Sequence, residues 1–386
     1  MTPDEPERSE GTNAPEQAER LHGFTLGVAV ASWSDDAHLA RSLDAADQAL
    51  TEAGIKPAGR VLVAAEGSAN AEKAALERGW TYRRILPGSP RTRAAAREAA
   101  RRAAGGTATL VVDGDVALAA GFVRPALSVL ADRDGIAGVG GRVDEAHWRR
   151  DALVGGRRDV DQVGKGGVAF RLRDVAIYRR EAIDAVGGFD VWVPAHDDEE
   201  LAGRLRMAGY ALVALDATAG VRHGVARDSW AEFGERLRSG QLNGPGLVLR
   251  RARGTMAFGE HMSRYAGRIG LVAWMLLGGV AALFGRKAGL GTIWAWTTLG
   301  GLVFFAVLKL SLPRAFWHSL TVLAEGLGIA RNLVAPVALP RVGPAPRPIP
   351  PPTPPGEPAT AGGVRSAGDR ALERDPDEPP PIVPRG

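Results

Sequence analysis

The sequence of 386 residues contains no cysteine, and aromatic residues make up only 6% of it. The absence of cysteine excludes a disulfide framework, cysteine-ligated zinc, an iron–sulfur cluster and a thiol nucleophile. Apolar residues account for 45% of the chain and charged residues for 24%, which is usual for globular proteins. This balance argues against fibrous and wholly disordered classes, and the length allows about two domains.

Both ends of the chain lack the apolar residues that a core needs. Residues 1–20 have no apolar segment of the kind found in signal peptides, and they carry 6 acidic but only 2 basic side chains. Residues 341–386 contain 14 of the 26 prolines. We therefore expect a disordered N-terminal arm over 1–20 and a disordered, Pro-rich tail over 341–386.

Positive charge is in excess in only one third of the chain. Residues 226–340 hold 13 basic and 5 acidic side chains, whereas residues 21–225 hold 27 of each. The basic residues flank apolar runs instead of alternating with aromatic residues over a folded face. The pattern indicates membrane lipid, and not nucleic acid, as the partner of this region.

Two uncharged runs, 269–284 and 288–308, contain 16 and 21 residues. About 20 residues are needed to cross a bilayer, so the sequence predicts two transmembrane helices within 269–309. A buried hairpin in a soluble domain is the alternative. We expect 226–268 to form a basic juxtamembrane helical segment and 310–340 an interfacial amphipathic helix. The basic flanks predict that both ends of the hairpin, and the domain before it, lie in the cytoplasm.

Between residues 21 and 225, short apolar runs alternate with helical patterns. This alternation predicts an α/β domain with a mainly parallel sheet, because buried parallel strands are typically short and wholly apolar. The predicted strands are Phe24–Ala31, Arg60–Ala65 and Thr107–Val112. The first predicted helix starts at Leu39, is capped by Asp35 or Asp36, and ends at Gly54. The other predicted helices are Ala94–Ala104 and Gly121–Leu130.

Two carboxylates, Asp113 and Asp115, directly follow the third predicted strand. Ligands bind at the carboxyl ends of strands in open α/β sheets, which favours a functional site there. Carboxylate oxygens together with a diphosphate suit Mg²⁺ or Mn²⁺. The alternative for this Asp-Gly-Asp sequence is a turn with solvated acids.

A second acidic motif comes later in the domain. The turn Gly187–Asp190, with the sequence Gly-Gly-Phe-Asp, precedes four consecutive acids at Asp197–Glu200. Acidic residues stabilise the start of a helix, so a well-capped helix with a solvated acidic face is one interpretation. Four acids exceed what capping needs, and one of them is a candidate general base over the end of the sheet.

In this order, the motifs resemble those of family 2 glycosyltransferases with the GT-A fold, over about residues 24–225. The segment Asp197–Tyr210 is similar to the Glu-Asp-x-x-Leu-x-x-Arg pattern of that family, and Val175–Asp190 is similar to the segment before it. The resemblance implies a Rossmann-like, mainly parallel GT-A domain over 21–225.

The resemblance also implies roles for individual residues. Asp115 is the expected metal ligand and Asp198 the expected catalytic base, with His223 as a further candidate metal ligand. The expected donor-binding residues are Glu66, Arg97 and Asp113, and the supporting residues are Asp197, Arg204, Gly187 and Gly188. The sequence departs from the family pattern in three places. An acidic pair is reduced to Ala65-Glu66, Glu98 replaces an Asn, and Ala31-Ser32-Trp33 replaces a Pro-containing turn.

A subgroup resemblance covers about twenty residues from His223. The run His223-x-x-x-Arg227-x-Ser229-Trp230 is similar to that of membrane-associated glycosyltransferases that modify mycofactocin. The chain lacks the Gln-x-x-Arg-Trp signature, which argues against a processive polysaccharide synthase.

The resulting hypothesis is an inverting, metal-dependent glycosyltransferase. It would move a sugar from a UDP- or GDP-sugar to the hydroxyl of a lipid-linked or small-molecule acceptor, at the cytoplasmic face of the membrane. A non-catalytic sugar-nucleotide-binding membrane scaffold is one alternative. A nucleotidyltransferase is another, but the chain has no Gly-rich phosphate loop after the first strand, where Val30–Trp33 stands.

Overall fold

The computed structural model describes most of the chain between residues 23 and 334. The predicted arm at 1–20, the predicted tail at 341–386, the donor-site candidate Glu66 and the predicted helix caps Asp35 and Asp36 lie outside the described residues. The described segments are 23–32, 38–65, 69–85, 89–149, 152–159, 166–225, 230–284, 289–308 and 312–334.

The first part of the chain folds into one sheet with helices on both faces. Its strands are β1 (Leu26–Ser32), β2 (Gly59–Ala64), β3 (Thr81–Arg84), β4 (Ala108–Asp113), β5 (Val116–Leu118), β6 (Ile136–Arg149), β7 (Ala152–Arg157), β8 (Gly167–Val168), β9 (Val175–Arg179) and β10 (Ala211–Val225). The helices are α1 (Leu39–Ala53), α2 (Ala69–Glu77), α3 (Arg93–Ala104), α4 (Val123–Asp132), α5 (Arg180–Ala185) and α6 (Asp197–Met207).

The central sheet is mainly parallel, as the alternation of apolar runs and helical patterns predicts. Its strand order is β3-β2-β1-β4-β9-β6-β10-β5, with β7 paired to β6 and β8 to β10. Strands β1 to β4 run in one direction, and β6 and β10 are parallel to each other. Strand β9 is antiparallel to both β4 and β6, so the start of β9 lies at the edge where β4 ends.

Alternate residues of β1 point to opposite faces of the sheet, and each face has its own core. Val28 and Val30 pack with α1 and α4, whereas Ala29 and Ala31 pack with α3, α5 and α6. The Ala-rich α3 lies very close to the sheet, since a Cβ at Gly27 would stand 2.7 Å from the carbonyl oxygen of Ala104. This close packing brings the arginine side chains of α3 to the end of β4.

The predicted elements before residue 133 are confirmed with shifts of one or two residues at their ends. Gly54 ends α1 in the left-handed conformation, with a φ of 68°, as expected for a helix C-cap. The remaining helices are α7 (Trp230–Arg238), α8 (Gly244–Ala252), α9 (Ala257–Phe284), α10 (Leu290–Leu308) and α11 (Leu312–Val334).

The prediction of two transmembrane helices within 269–309 is wrong for the described residues. No helix described there is both long and apolar enough to cross a membrane. The run 269–284 is only the second half of α9, and 16 residues fall short of the bilayer thickness. The first half of α9 carries charged residues and buries Tyr265 in a cluster with Leu249 of α8 and Ile329 of α11.

Candidate active site

The end of β4 and the start of β9 bring two aspartates together. The amide of Asp113 donates a hydrogen bond of 2.9 Å to the carbonyl oxygen of Asp174, and both side chains are buried. Because β9 runs antiparallel to β4, the residue before β9 lies beside the residue that ends β4. The site therefore forms at the carboxyl end of a central strand, where α/β sheets bind ligands.

Arg97 of α3 joins Asp113 to the start of α6. Its guanidinium group is buried and donates hydrogen bonds of 2.9 and 2.8 Å to the two carboxylate oxygens of Asp113. A third bond of 2.8 Å goes to Oδ2 of Asp197. Arg93, one turn earlier on α3, adds a bond of 3.2 Å to Asp113. The predicted donor-site residues Arg97 and Asp113 are thus in direct contact.

The arginines keep Asp113 ionised in spite of its burial. Burial raises the pKa of Asp113, but the positive charges of Arg97 and Arg93 outweigh it and hold the pKa below its usual value. At Asp197, burial prevails over the same arginines, and the pKa is raised. Asp197 is fully buried, its Oδ2 is bound to Arg97, and its Oδ1, which has no hydrogen-bond partner among the described residues, lies 3.9 Å from Nε of Arg93. Both oxygens of Asp197 therefore face arginines of α3.

Asp198 points to a different set of partners. Its Oδ2 lies 3.7 Å from Nε of Arg171, and among the described residues this oxygen has no hydrogen-bond partner. Burial raises the pKa of Asp198, but Arg171 and Arg173 outweigh it and hold the pKa below its usual value. The carboxylate is therefore ionised, and its buried Oδ2 keeps an unused capacity to accept a hydrogen bond.

The four acids that open α6 are all buried, so the interpretation of a solvated acidic face is wrong. Asp197 binds Arg97, and Asp198 faces Arg171. The other two acids are also paired, with Glu199 bound to Arg171 and to the hydroxyl of Tyr265, and Glu200 bound to Arg204 at 2.7 Å. The helix begins after His196, which adopts a left-handed conformation with a φ of 63°.

The Gly-Gly-Phe-Asp turn is shaped by Glu98, the residue that departs from the family pattern. Gly187 and Gly188 have φ values of 87° and 83°, and a Cβ at Gly188 would stand 2.4 Å from the carboxylate of Glu98. This carboxylate accepts a hydrogen bond of 3.0 Å from the amide of Phe189. Arg204 donates to the carbonyl oxygen of Val186 at the same turn. Glu98 is therefore a structural residue of the turn.

Asp115, in the turn between β4 and β5, lies opposite His223 of β10. The amide of His223 donates a hydrogen bond of 2.7 Å to the carbonyl oxygen of Asp115, and Nε of Arg222 is 3.9 Å from the Asp115 carboxylate. Burial, together with Arg41 and His38, lowers the pKa of His223 to about 4, so its imidazole is neutral at pH 7.

Within the described segments, no group of three or more histidines and carboxylates is arranged as a metal site. A carboxylate and a neutral imidazole are nevertheless donors of the kind that divalent cations accept. Mg²⁺ sites commonly use one or two carboxylates and take their other ligands from water and substrate phosphates. Two such donors would hold only a cation that also takes ligands from water or a diphosphate.

Several residues of this region were not identified from the sequence: Arg93, Arg171, Asp174, Arg222 and Tyr265. Arg93 precedes Arg97 by one helical turn, so the spacing could have predicted that the two side chains lie on the same face of the helix. The others reach the site through the reversed direction of β9 and through the packing of α9 on α6, which no local pattern encodes.

No protein-family model and no curated protein matches this sequence. Solved structures do match. The mannosyltransferase PcManGT from Pyrobaculum calidifontis, solved with GDP-Man and Mn²⁺, has a TM-score of 0.54 at 18% identity, over 82% of this chain and 88% of that one.

Two further similar structures have lower scores. TarS of S. aureus, residues 1–349, has a TM-score of 0.44 at 12% identity, over 60% of this chain and 66% of that one. Glucosyl-3-phosphoglycerate synthase of Mycobacterium tuberculosis, solved with phosphoglyceric acid, has a TM-score of 0.45 at 14% identity, over 63% of this chain and 85% of that one. The chain therefore has the fold of the GT-A glycosyltransferases.

Proposed function

We propose that the chain is an inverting, metal-dependent family 2 glycosyltransferase that uses a nucleotide-sugar donor. The observation that carries the proposal is the position of Asp198. It is an ionised carboxylate at the carboxyl end of the sheet, adjacent to the Asp113–Arg97–Asp197 group, and one of its oxygens has no hydrogen-bond partner among the described residues.

Asp198 is the general base of the proposed reaction. Its Oδ2 accepts the proton of the acceptor hydroxyl as that oxygen attacks the anomeric carbon of the donor. The bond from the anomeric carbon to the diphosphate breaks in the same displacement, so no covalent enzyme intermediate is needed. Arg171 orients the carboxylate, because its Nε lies 3.7 Å from Oδ2.

Asp115 and His223 are the proposed protein ligands of Mg²⁺ or Mn²⁺. A bound cation supplies Lewis-acid stabilisation of the diphosphate leaving group. The role of Arg93 and Arg97 is to hold Asp113 ionised and fixed at the end of β4. From there Asp113 accepts hydrogen bonds from the hydroxyl groups of the donor's ribose or sugar.

The test is a screen of the full chain against UDP- and GDP-sugars for release of the nucleoside diphosphate. We expect release with at least one donor, its loss in EDTA and its recovery with Mn²⁺ or Mg²⁺. Donor binding without any release, with or without candidate acceptors, would instead favour a non-catalytic sugar-nucleotide-binding scaffold. Activity that persists in EDTA would contradict the metal assignment.

We further propose that a lipid surface is the partner of the C-terminal helices. Large apolar side chains on α9 and α10 are exposed, among them Leu277 at 57% and Trp296 at 68%, in the region with the excess of basic residues. Trp and Leu with basic neighbours are typical of interfacial membrane binding.

Anionic phospholipid vesicles test this partner. We expect the chain to sediment with them, and the double variant Leu277→Glu, Trp296→Glu to remain in solution. Leu153→Glu is the matched control, since Leu153 is 60% exposed on β7. Equal sedimentation of all three proteins would contradict the lipid assignment.

A further inference from the structure

A group of arginines lies around Phe170 and Arg171, next to Asp198 in the site. Arg171 is close to Asp198 and is bound to Glu199, and its side chain is 25% exposed. On α9, Arg264 is exposed, and the central carbon of its guanidinium group lies 3.1 Å from the ring centre of Phe170. Arg206 of α6 stacks on the same ring at 4.0 Å. We call these three residues the arginine patch.

The positive charge of the arginine patch is incompletely neutralised. Arg171 is compensated by Glu199, and Arg206 is 3.0 Å from Glu260. Among the described residues, Arg264 has no carboxylate within ion-pair distance. Partial burial and the neighbouring Arg171 and Arg206 lower the pKa of Arg264 and outweigh the opposite effect of Glu260.

The patch is placed for an acceptor and not for the donor. The donor side of the site is Asp113, which contacts Arg93 and Arg97. Asp197 faces that side, whereas Asp198 faces Arg171. An acceptor hydroxyl must lie within about 3 Å of Asp198 to lose its proton. A group bound to Arg171 is then only a few bonds away from that hydroxyl.

We infer that the acceptor carries an anionic group, a phosphate or a carboxylate, which binds to Arg171 and Arg264 beside the reacting hydroxyl. The inference rests on the proposed function and adds the chemical class of the acceptor. Guanidinium groups bind both anions through paired hydrogen bonds, so the two share one recognition chemistry. The stacking of Arg264 on Phe170 holds its guanidinium group in a defined plane for such binding.

A bound anion also affects the base. Arg171 holds the pKa of Asp198 down, and an anion that shares Arg171 reduces this effect. The carboxylate then becomes a stronger base when the acceptor is present. Through the arginine patch, binding of the acceptor thus increases the basicity of Asp198.

Isothermal titration of the full chain with inorganic phosphate, and separately with acetate, tests the inference. We expect Arg264→Gln to weaken binding of at least one anion about tenfold or more, because the change removes charge-assisted hydrogen bonds to the anion. Arg264→Lys should retain part of the affinity. Arg84→Gln is the matched control, since Arg84 is an exposed arginine stacked on Tyr82, and it should bind as the unaltered chain does.

Comparison of the phosphate titration with the acetate titration identifies the class of anion. Selective loss of phosphate binding supports a phosphorylated acceptor, and selective loss of acetate binding supports a carboxylate. Absence of binding of both anions, or equal binding by the unaltered chain and Arg264→Gln, overturns the inference. Neither titration involves a donor, so failure here is distinct from failure of the nucleotide-release screen.

Discussion

Asp113 and Asp197 are bound to the same guanidinium group, that of Arg97, although one ends β4 and the other begins α6. All three side chains are buried. The shared arginine fixes the start of α6 against the end of the sheet. The next residue, Asp198, faces Arg171 instead.

Arg97→Gln should strongly destabilise the fold. The change leaves two buried carboxylates without their counter-charge, and breaking a buried ion pair costs about 3–5 kcal/mol. Arg78→Gln is the control, because the Arg78–Asp44 pair lies at the surface, where such pairs contribute about 0–1 kcal/mol. Denaturant unfolding of both variants checks the prediction, and an equal loss in the two would refute a supporting role for Arg97.

Gly188→Ala should cost more stability than Gly209→Ala. Gly188 and Gly209 have φ values of 83° and 87°, which cost an L-residue about 1–2 kcal/mol. A Cβ at Gly209 meets nothing within 4 Å, whereas a Cβ at Gly188 meets the buried Glu98 carboxylate at 2.4 Å. The clash should add roughly 1–3 kcal/mol. Equal melting temperatures for the two variants would show that Glu98 does not restrict this turn.

Acid should destabilise the protein partly through His196. Burial lowers the pKa of His196 to about 3, whereas an unfolded histidine titrates near 6.5. Between these values the unfolded chain binds more protons, so the free energy of unfolding falls as the pH drops from about 6.5 to 3. The slope from one such group is at most about 1.4 kcal/mol per pH unit.

His196→Asn tests this dependence, because Asn cannot titrate and tolerates the left-handed conformation of residue 196. Unfolding measured from pH 7 to pH 4 should show a shallower loss of stability in the variant than in the unaltered chain. Identical slopes would mean that His196 is not kept neutral in the folded protein.

Asp115→Asn should weaken the binding of the nucleoside diphosphate in the presence of Mn²⁺, because it removes a charged ligand from the proposed cation. The effect should disappear in EDTA, where neither protein has the cation. Asp134→Asn, a change at a fully exposed carboxylate, should bind as the unaltered chain does. If Asp115→Asn binds normally with Mn²⁺, Asp115 is not a metal ligand.

Local patterns were sufficient to predict strands β1, β2 and β4 and helices α1, α3 and α4. Gly54 ends α1 as expected, and the apolar run before Asp113 is β4. The positions of Asp113 and Asp198 at one end of the domain followed from the order of the motifs. These features depend on short-range periodicity and on strand direction, which the sequence carries directly.

Local patterns do not predict which distant segments come into contact. Arg171 and Tyr265 both bind Glu199, but they come from a loop and from α9. Glu98 was a departure from the family pattern in the sequence, and only the structure shows that it binds the amide of Phe189. Hydropathy alone indicated membrane spans at 269–284 and 288–308, whereas among the described residues no helix is both long and apolar enough to cross a membrane.

Sugar transfer by Asp198→Asn and Asp197→Asn is the most direct test of the account. With a donor from the release screen, Asp198→Asn should bind the donor normally and transfer about 10²–10⁴-fold more slowly, because it keeps the size of the side chain but removes the proton acceptor. Asp197→Asn should instead lose stability through its bond to Arg97 and keep much more of the transfer rate per folded molecule. Transfer by Asp198→Asn at the rate of the unaltered chain would contradict its assignment as the catalytic base.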